Sequence, residues 1–436
     1  MKKLLALLSV LTVLTLLAAC GGQPAAQPTS APAPTTPPQP AATEAPPAPS
    51  GEPITLGLMT DQSGPLAIYG PMQERGFRLG LEYATDGSLA VAGHPLQISV
   101  KDNGSDPETA VTQARELIEA EGARILVGTV SSGATMAVAE VAKENEVILI
   151  AEPAASPAIT GGNFNPYTFR TSRNSVQDAL TMTSYLTDIG ETFVQIAPDY
   201  AFGYGSAAGF YASVKALGGK FVINDTAEQS GTVFIPLETT DFTPYLNQVL
   251  DAKADVLIVT WAGAGFVPLF QQMQELGVFD EMTVATGMGD NQTLAAGYTN
   301  AIGSVGVSVY HYTLPNNEVN DWLVKRHQEE YGSPPDLFTA GGFAAAQLVV
   351  AALEKTGGDT SADALIPVLE GMEFDGPKGK YIIRDYDHVA LQPMYLVELT
   401  NVTDPDFKFF KLIKEFGPEE TASPCMLAGD YADRCP

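Results

Sequence analysis

The chain has 436 residues, 45% of them hydrophobic and 17% charged, enough for a sizeable core and for two or three ordinary domains, which excludes a fibrous or mostly disordered protein. Its 51 acidic residues against 23 basic ones give a net charge of −28, which repels phosphate backbones and argues against a nucleic-acid partner. The acidic residues are spread along the chain, so they suit solubility and specify no ligand.

The first element is a leader. Lys2 and Lys3 precede an apolar stretch from Leu4 to Leu17 that is too short for a comfortable membrane span and reads as a secretory signal over residues 1–19. The segment Leu17-Ala18-Ala19-Cys20-Gly21 resembles the lipobox of bacterial lipoproteins. That resemblance implies removal of the signal and lipidation of Cys20, with the lipid as the sole membrane anchor; the alternative is an ordinary signal with an incidental cysteine. Residues 20–52 follow as a Pro/Ala/Thr-rich tether with ten prolines between Gly21 and Ser50. Such a chain cannot pack a core, and in extended polyproline form it reaches about 100 Å. With Cys20 acylated, Cys425 and Cys435 remain as a pair in an oxidising compartment, so a disulfide is expected. Their spacing lacks the second pair that a zinc site needs, so neither metal nor other cofactor is expected.

From Ile54 onward, short apolar runs alternate with amphipathic stretches. The runs 54–60, 96–102, 123–129 and 147–152 read as buried parallel strands, and residues 71–85, 107–121 and 132–143 between them read as helices. A second series follows. Strands are expected at 192–198, 220–226, 255–261 and 282–287, with helices near 174–188, 203–217, 242–252 and 263–276. Helices are expected again at 317–331, 336–356 and 361–371, and strands at 379–385 and 392–400, while periodicity weakens from Asn401. This is an α/β protein with two doubly wound parallel-sheet lobes joined by a hinge. The first lobe is expected to take residues 53–172 plus about 310–375, the second 173–309 plus about 376–400. Residues 401–436 form a tail carrying the Cys425/Cys435 pair.

In open α/β sheets, ligands lie beyond the carboxyl ends of the strands. The loop after the first strand carries Tyr69; the one after the third reads Gly128-Thr129-Val130-Ser131-Ser132-Gly133; the one after the fourth reads Glu152-Pro153-Ala154-Ala155-Ser156-Pro157. Hydroxyls and free N–H groups at helix starts suit a carboxylate, although each serine alone also suits a plain helix cap. In order along the chain, SGPLAIYG (63–70), GTVSSGAT (128–135), AEPAASPAIT (151–160), PYTFRTS (166–172), PDYAFGYG (198–205) and GPKGKYIIRDYDHVALQPMYLVEL (376–399) resemble the leucine/isoleucine/valine-binding family of type 1 periplasmic binding proteins.

The resemblance implies an extracytoplasmic, monomeric solute-binding component of an ABC importer, which takes a branched-chain or other amino acid between its lobes and presents it to the permease. It places Ser131 and Ser132 on the ligand carboxylate, Ala154, Ala155 and Ser156 in the rest of the clamp, and Tyr69 as the first-lobe aromatic. In the second lobe Phe202 stands where the family pattern has a phenol, with Tyr200 near it. Trp261 and Ala262 lie where the family has a tyrosine, though Trp261 also ends an apolar run and suits a core position. The family's acidic partner for the ligand ammonium falls near Met288, and the nearest carboxylate is Asp290.

Competing functions have less support. Gly203-Tyr204-Gly205-Ser206-Ala207-Ala208-Gly209 has one residue too many for a dinucleotide fingerprint. An amidase or esterase using Ser131 or Ser132 would need a base, and the strand-end loops of the first lobe hold no histidine or lysine. A sensor that presents the solute to a receptor remains open, since one fold serves both uses. His94, His311, His327 and His388 show no metal-ligand spacing.

Overall fold

The computed structural model describes residues 50–436; the expected signal segment, Cys20 and the tether up to residue 49 lie outside the described residues. The first sheet is built from β1 (Ile54–Thr60), β2 (Ala90–Val91), β3 (His94–Asp102), β4 (Ile125–Val127), β5 (Ile148–Ala151) and β6 (Thr168–Arg170). Their spatial order is β2-β3-β1-β4-β5-β6, and every pairing except β2 with β3 is parallel. Helices α1 (Gly70–Ala84), α2 (Pro107–Glu119) and α3 (Ser132–Glu144) follow β1, β3 and β4. Successive strand residues face opposite layers: Ile125 and Val127 pack with Phe77 and Phe169, while Leu126 packs with Leu117 and Val138. Both faces are covered, which is why these strands read as unbroken apolar runs.

The second sheet begins after α4 (Ser175–Ile189) with β7 (Thr192–Pro198), α5 (Ala201–Ala216), β8 (Lys220–Phe221), β9 (Thr232–Ile235) and α6 (Thr243–Ala252). It continues through β10 (Val256–Val259), α7 (Phe266–Glu275), α8 (Val278–Glu281), β11 (Thr283–Gly287), α9 (Asn291–Gly297) and β12 (Val305–Ser308). The strand expected at 220–226 stops after Phe221; the chain turns through Asn224 at φ 51°, and β9 then pairs with the far part of β7. The Asn224 amide donating to Thr232 O at 2.8 Å holds that turn.

The chain then returns to the first lobe with α10 (Glu318–Tyr331), α11 (Thr339–Thr356) and α12 (Ala362–Leu369). Helices α1 and α11 pack backbone to backbone. A Cβ on Gly76 would lie 2.0 Å from Thr339 O, and one on Gly342 would lie 2.3 Å from Gln73 O, so only glycine fits. Strands β13 (Glu373–Gly376), β14 (Gly379–Ile383) and β15 (Ala390–Leu391) form a small antiparallel sheet of their own, and β16 (Met394–Leu399) joins β12 in the second sheet. The segment 376–400 is therefore divided between two sheets, a correction to its expected place in the second lobe alone.

The tail also holds regular structure. Strand β17 (Phe410–Phe416) pairs with β16 at the sheet edge, and residues 411–415 are exposed, so no apolar alternation marked it in the sequence. Beyond it Cys425 and Cys435 are bridged. Arg434 donates to Glu370 Oε1 at 2.7 Å and lies over the Phe164 ring, which returns the tail to the first lobe.

Three segments cross between the lobes, at 171–174, 309–317 and 377–393, and they bond to one another. Gln392 donates to Thr171 O at 2.8 Å, Lys378 Nζ to Gln392 Oε1 at 2.9 Å, and Asn317 to Pro377 O at 3.0 Å. The first crossing ends in a capping box, in which Asn174 Oδ1 accepts from Val176 and Gln177 N–H while Gln177 Oε1 accepts from Asn174 N–H.

Candidate functional site

A cavity opens between the lobes at the carboxyl ends of both sheets, with about 810 Å³ of empty space including its mouth. The first lobe supplies Leu66, Tyr69, Val130, Ser132, Pro153 and Ala155. Helix α3 begins at Ser132, so the side chain lies at a helix N-terminus with its hydroxyl oxygen accepting from Ser156 N–H at 3.1 Å. That leaves the hydroxyl proton of Ser132 available to a ligand.

The rest of the expected first-lobe clamp is engaged internally. Ser156 Oγ caps a short helical turn by accepting from Ala158 N–H. The carbonyl of Ala154 accepts from Arg170 Nη2 at 2.6 Å and from Ser172 Oγ at 2.8 Å, which fills both lone pairs. Ser131 lies at the N-cap and does not line the cavity, its carbonyl accepting from Thr129 and Thr135 hydroxyls. Of the six first-lobe residues expected at the ligand, the cavity wall thus gathers Tyr69, Ser132 and Ala155, and leaves Ser131, Ala154 and Ser156 behind it.

The second lobe supplies Phe202, Trp261, Ala262 and Met288 as expected, together with Tyr200 and Ser206. Trp261 fills both roles open to it: it stacks edge-on against core Phe242 at 5.2 Å and also borders the cavity, where its indole N–H has no partner among the described residues. The Ser206 hydroxyl is likewise unpartnered among the described residues. Asp290 is a correction. It does not reach the cavity, because its carboxylate is the N-cap of α9, accepting from Gln292 and Thr293 N–H. An acid placed just before a helix start is claimed by that helix's free N–H groups.

Sequence reading missed the charged part of the wall. Arg173, in the first crossing, forms a fork with Asp178 on α4, Nε to Oδ1 at 3.2 Å and Nη2 to Oδ2 at 3.2 Å. Burial raises the Asp178 carboxyl, with Arg173 opposing. The Arg-Thr-Ser-Arg run at 170–173 was the available signal, a pair of cations directly after a buried strand. Leu337 and Phe338 also line the cavity, and they precede α11 with no strand before them to mark the place.

The lobes touch on both sides of the cavity. Tyr69 hydroxyl accepts from Gly263 N–H at 2.9 Å, and Asp336 accepts from Asn291 N–H. Gly263 has φ 75° and lies so close to Pro65 that a Cβ would stand 2.2 Å from its carbonyl oxygen. Gly205 on α5 likewise lets that helix abut Pro157. These contacts describe a closed cleft.

A family model described as periplasmic binding protein matches residues 53–404. The chain belongs to that family. Periplasmic binding proteins of this kind are extracytoplasmic, and among the described residues no helix is long and apolar enough to cross a membrane. A Leu/Ile/Val-binding protein, BraC3 of Rhizobium johnstonii, is 25% identical over 335 residues, covering 75% of this chain and 86% of its own. Among solved structures, an ABC-type branched-chain amino acid transporter protein from Rhodopseudomonas palustris is 37% identical with a TM-score of 0.71, over 86% of this chain and all of its own. A solute-binding protein of R. palustris in complex with benzoate is 25% identical with a TM-score of 0.73, over 84% of this chain and 97% of its own.

Proposed function

We propose that this periplasmic binding protein captures a small carboxylate-bearing solute in the interlobe cavity and hands it to the permease of an ABC importer, working as a monomer held to the membrane by lipid on Cys20. The observation that carries the reading is the Ser132 hydroxyl at the start of α3, facing an apolar cavity closed over by the second lobe. A helix N-terminus and a hydroxyl donor in a water-poor space favour an anion. The names of the relatives support two solute classes, branched-chain amino acids and aromatic acids. Closure follows from hinge bending at the three crossings. Delivery to an importer, in preference to a receptor, is favoured by the transporter assignments of the similar structures. The one carboxylate among the cavity-lining residues, Asp178, is paired with Arg173 and makes no hydrogen bond to Ser132, which weighs against an enzyme.

The chain has two tryptophans, Trp261 in the cavity wall and Trp322 on α10. Titration with carboxylate solutes is expected to change intrinsic fluorescence in the unmodified protein and in Trp322→Phe, with the signal lost in Trp261→Phe. A change that persists in Trp261→Phe and vanishes in Trp322→Phe would put the solute elsewhere.

A further inference from the structure

The charges around the cavity are unequal. Among the described residues its wall holds a single acid, Asp178, and both oxygens of that acid face Arg173. Two acids of the second lobe and of the segment before α11 do not line it. Asp290 caps α9, and Asp336 accepts from Asn291 and Leu337 N–H, with burial pushing it up to about 7 and the Asp290 charge adding to that. An α-ammonium entering this space would find no free carboxylate among the wall residues, and a buried unpaired cation is costly.

Positive charge, in contrast, is in excess. Arg170 is fully buried, and its hydrogen bonds go to the carbonyls of Ala154, Ser156, Ser172 and Arg173 and to the hydroxyls of Thr160 and Ser172, none to a carboxylate. Lys378 lies in the adjoining hinge cavity with Arg173 and Glu152. Burial pushes Glu152 up to about 7 and Lys378 down to about 7, each toward its neutral form, which leaves the two guanidinium groups of Arg170 and Arg173 against the one carboxylate of Asp178. The loop that Arg170 grips is the one that brings Ala155 to the cavity. Opposite it stand the unpartnered donors Trp261 Nε1 and Ser206 Oγ, and aromatic walls from Tyr69, Phe202 and Phe338.

We propose that the cavity takes an aromatic monocarboxylate with no ammonium group, its carboxylate drawn to Ser132 and Arg173 by the uncompensated hinge cations and its ring held among Tyr69, Phe202, Trp261 and Phe338. This rests on the carboxylate reading above and narrows it. The hinge residue Arg173 becomes a ligand-recognition group, and Asp178 fixes its orientation.

The test is calorimetry on the full chain with matched pairs that differ only by the ammonium: 3-phenylpropanoate against L-phenylalanine, and 4-methylpentanoate against L-leucine, with benzoate and benzamide alongside. The ammonium-free acid is expected to bind at least about tenfold tighter in each pair, and benzoate to bind where benzamide does not. Equal or tighter binding of the amino acids overturns the proposal while leaving the carboxylate reading intact. Binding of benzamide or a sugar with no carboxylate of either kind overturns both. Asp178→Asn adds a second check. Weaker 3-phenylpropanoate binding is expected, because Arg173 loses the carboxylate that orients it, whereas loss confined to L-phenylalanine overturns the proposal by making Asp178 an ammonium partner.

Discussion

At the scale of single residues, Ser132 carries two duties. Its oxygen accepts from Ser156 N–H, which holds the loop after β5 against the start of α3, and its proton is free for the solute. Ser132→Ala removes one hydrogen bond to a charged group, worth about 1.5–3 kcal/mol in a closed site, so solute affinity is expected to fall about tenfold or more by calorimetry. An affinity unchanged within twofold would exclude Ser132 from recognition. Ser132, Ala155 and Tyr69 were legible because strand-end loops are where α/β proteins bind. Asp290 was misread because spacing alone cannot tell a ligand acid from a helix cap. Trp261 could not be assigned to core or cleft from its apolar run, since the ring packs against core Phe242 and also borders the cavity.

At the scale of elements, most strands and helices follow from apolar runs and helical spacing, and the exceptions have two causes. Strands β6, β9 and β12 have three or four residues each, too few to show a period, and β17 is an edge strand whose middle faces water. Closure depends on close approach between elements of the two lobes. Gly263 combines positive φ with contact to Pro65 O, so Gly263→Ala is expected to strain the closed form and leave the open one unaffected. Small-angle scattering in saturating ligand is expected to show a larger radius of gyration for Gly263→Ala than for the unmodified protein, together with weaker binding. Identical curves would mean that the 65–263 contact does not govern closure.

At the scale of the whole molecule, the hinge is a buried charged cluster, and its titration bears on stability. Burial raises Glu152 from 4.5 to about 7, so the folded form holds a proton that the unfolded chain has released across that interval. Stability from this group is present below about 4.5 and is lost as pH rises through 7. Lys378 has the opposite slope above neutrality, because burial lowers it from 10.5 to about 7 and the unfolded chain then binds the extra proton. Glu152→Gln removes the first effect. Its unfolding free energy relative to the unmodified protein, followed by denaturant titration, is expected to rise between pH 5 and 8 by an amount on the order of 3 kcal/mol at most. A difference that stays constant over that range would place the titration elsewhere.

The two-lobe architecture was legible from the repeated strand–helix series, but the bonding of the crossing segments to one another was not, since Gln392 and Thr171, which join the first and third, are more than two hundred positions apart. The most direct test of solute capture between the lobes is a crystal structure grown with a bound monocarboxylate. The solute is expected between the two sheets, its carboxylate within hydrogen-bond distance of Ser132 Oγ and its body against Trp261. A solute bound on the outer surface, or one in the cleft whose carboxylate points away from the first lobe, would contradict it.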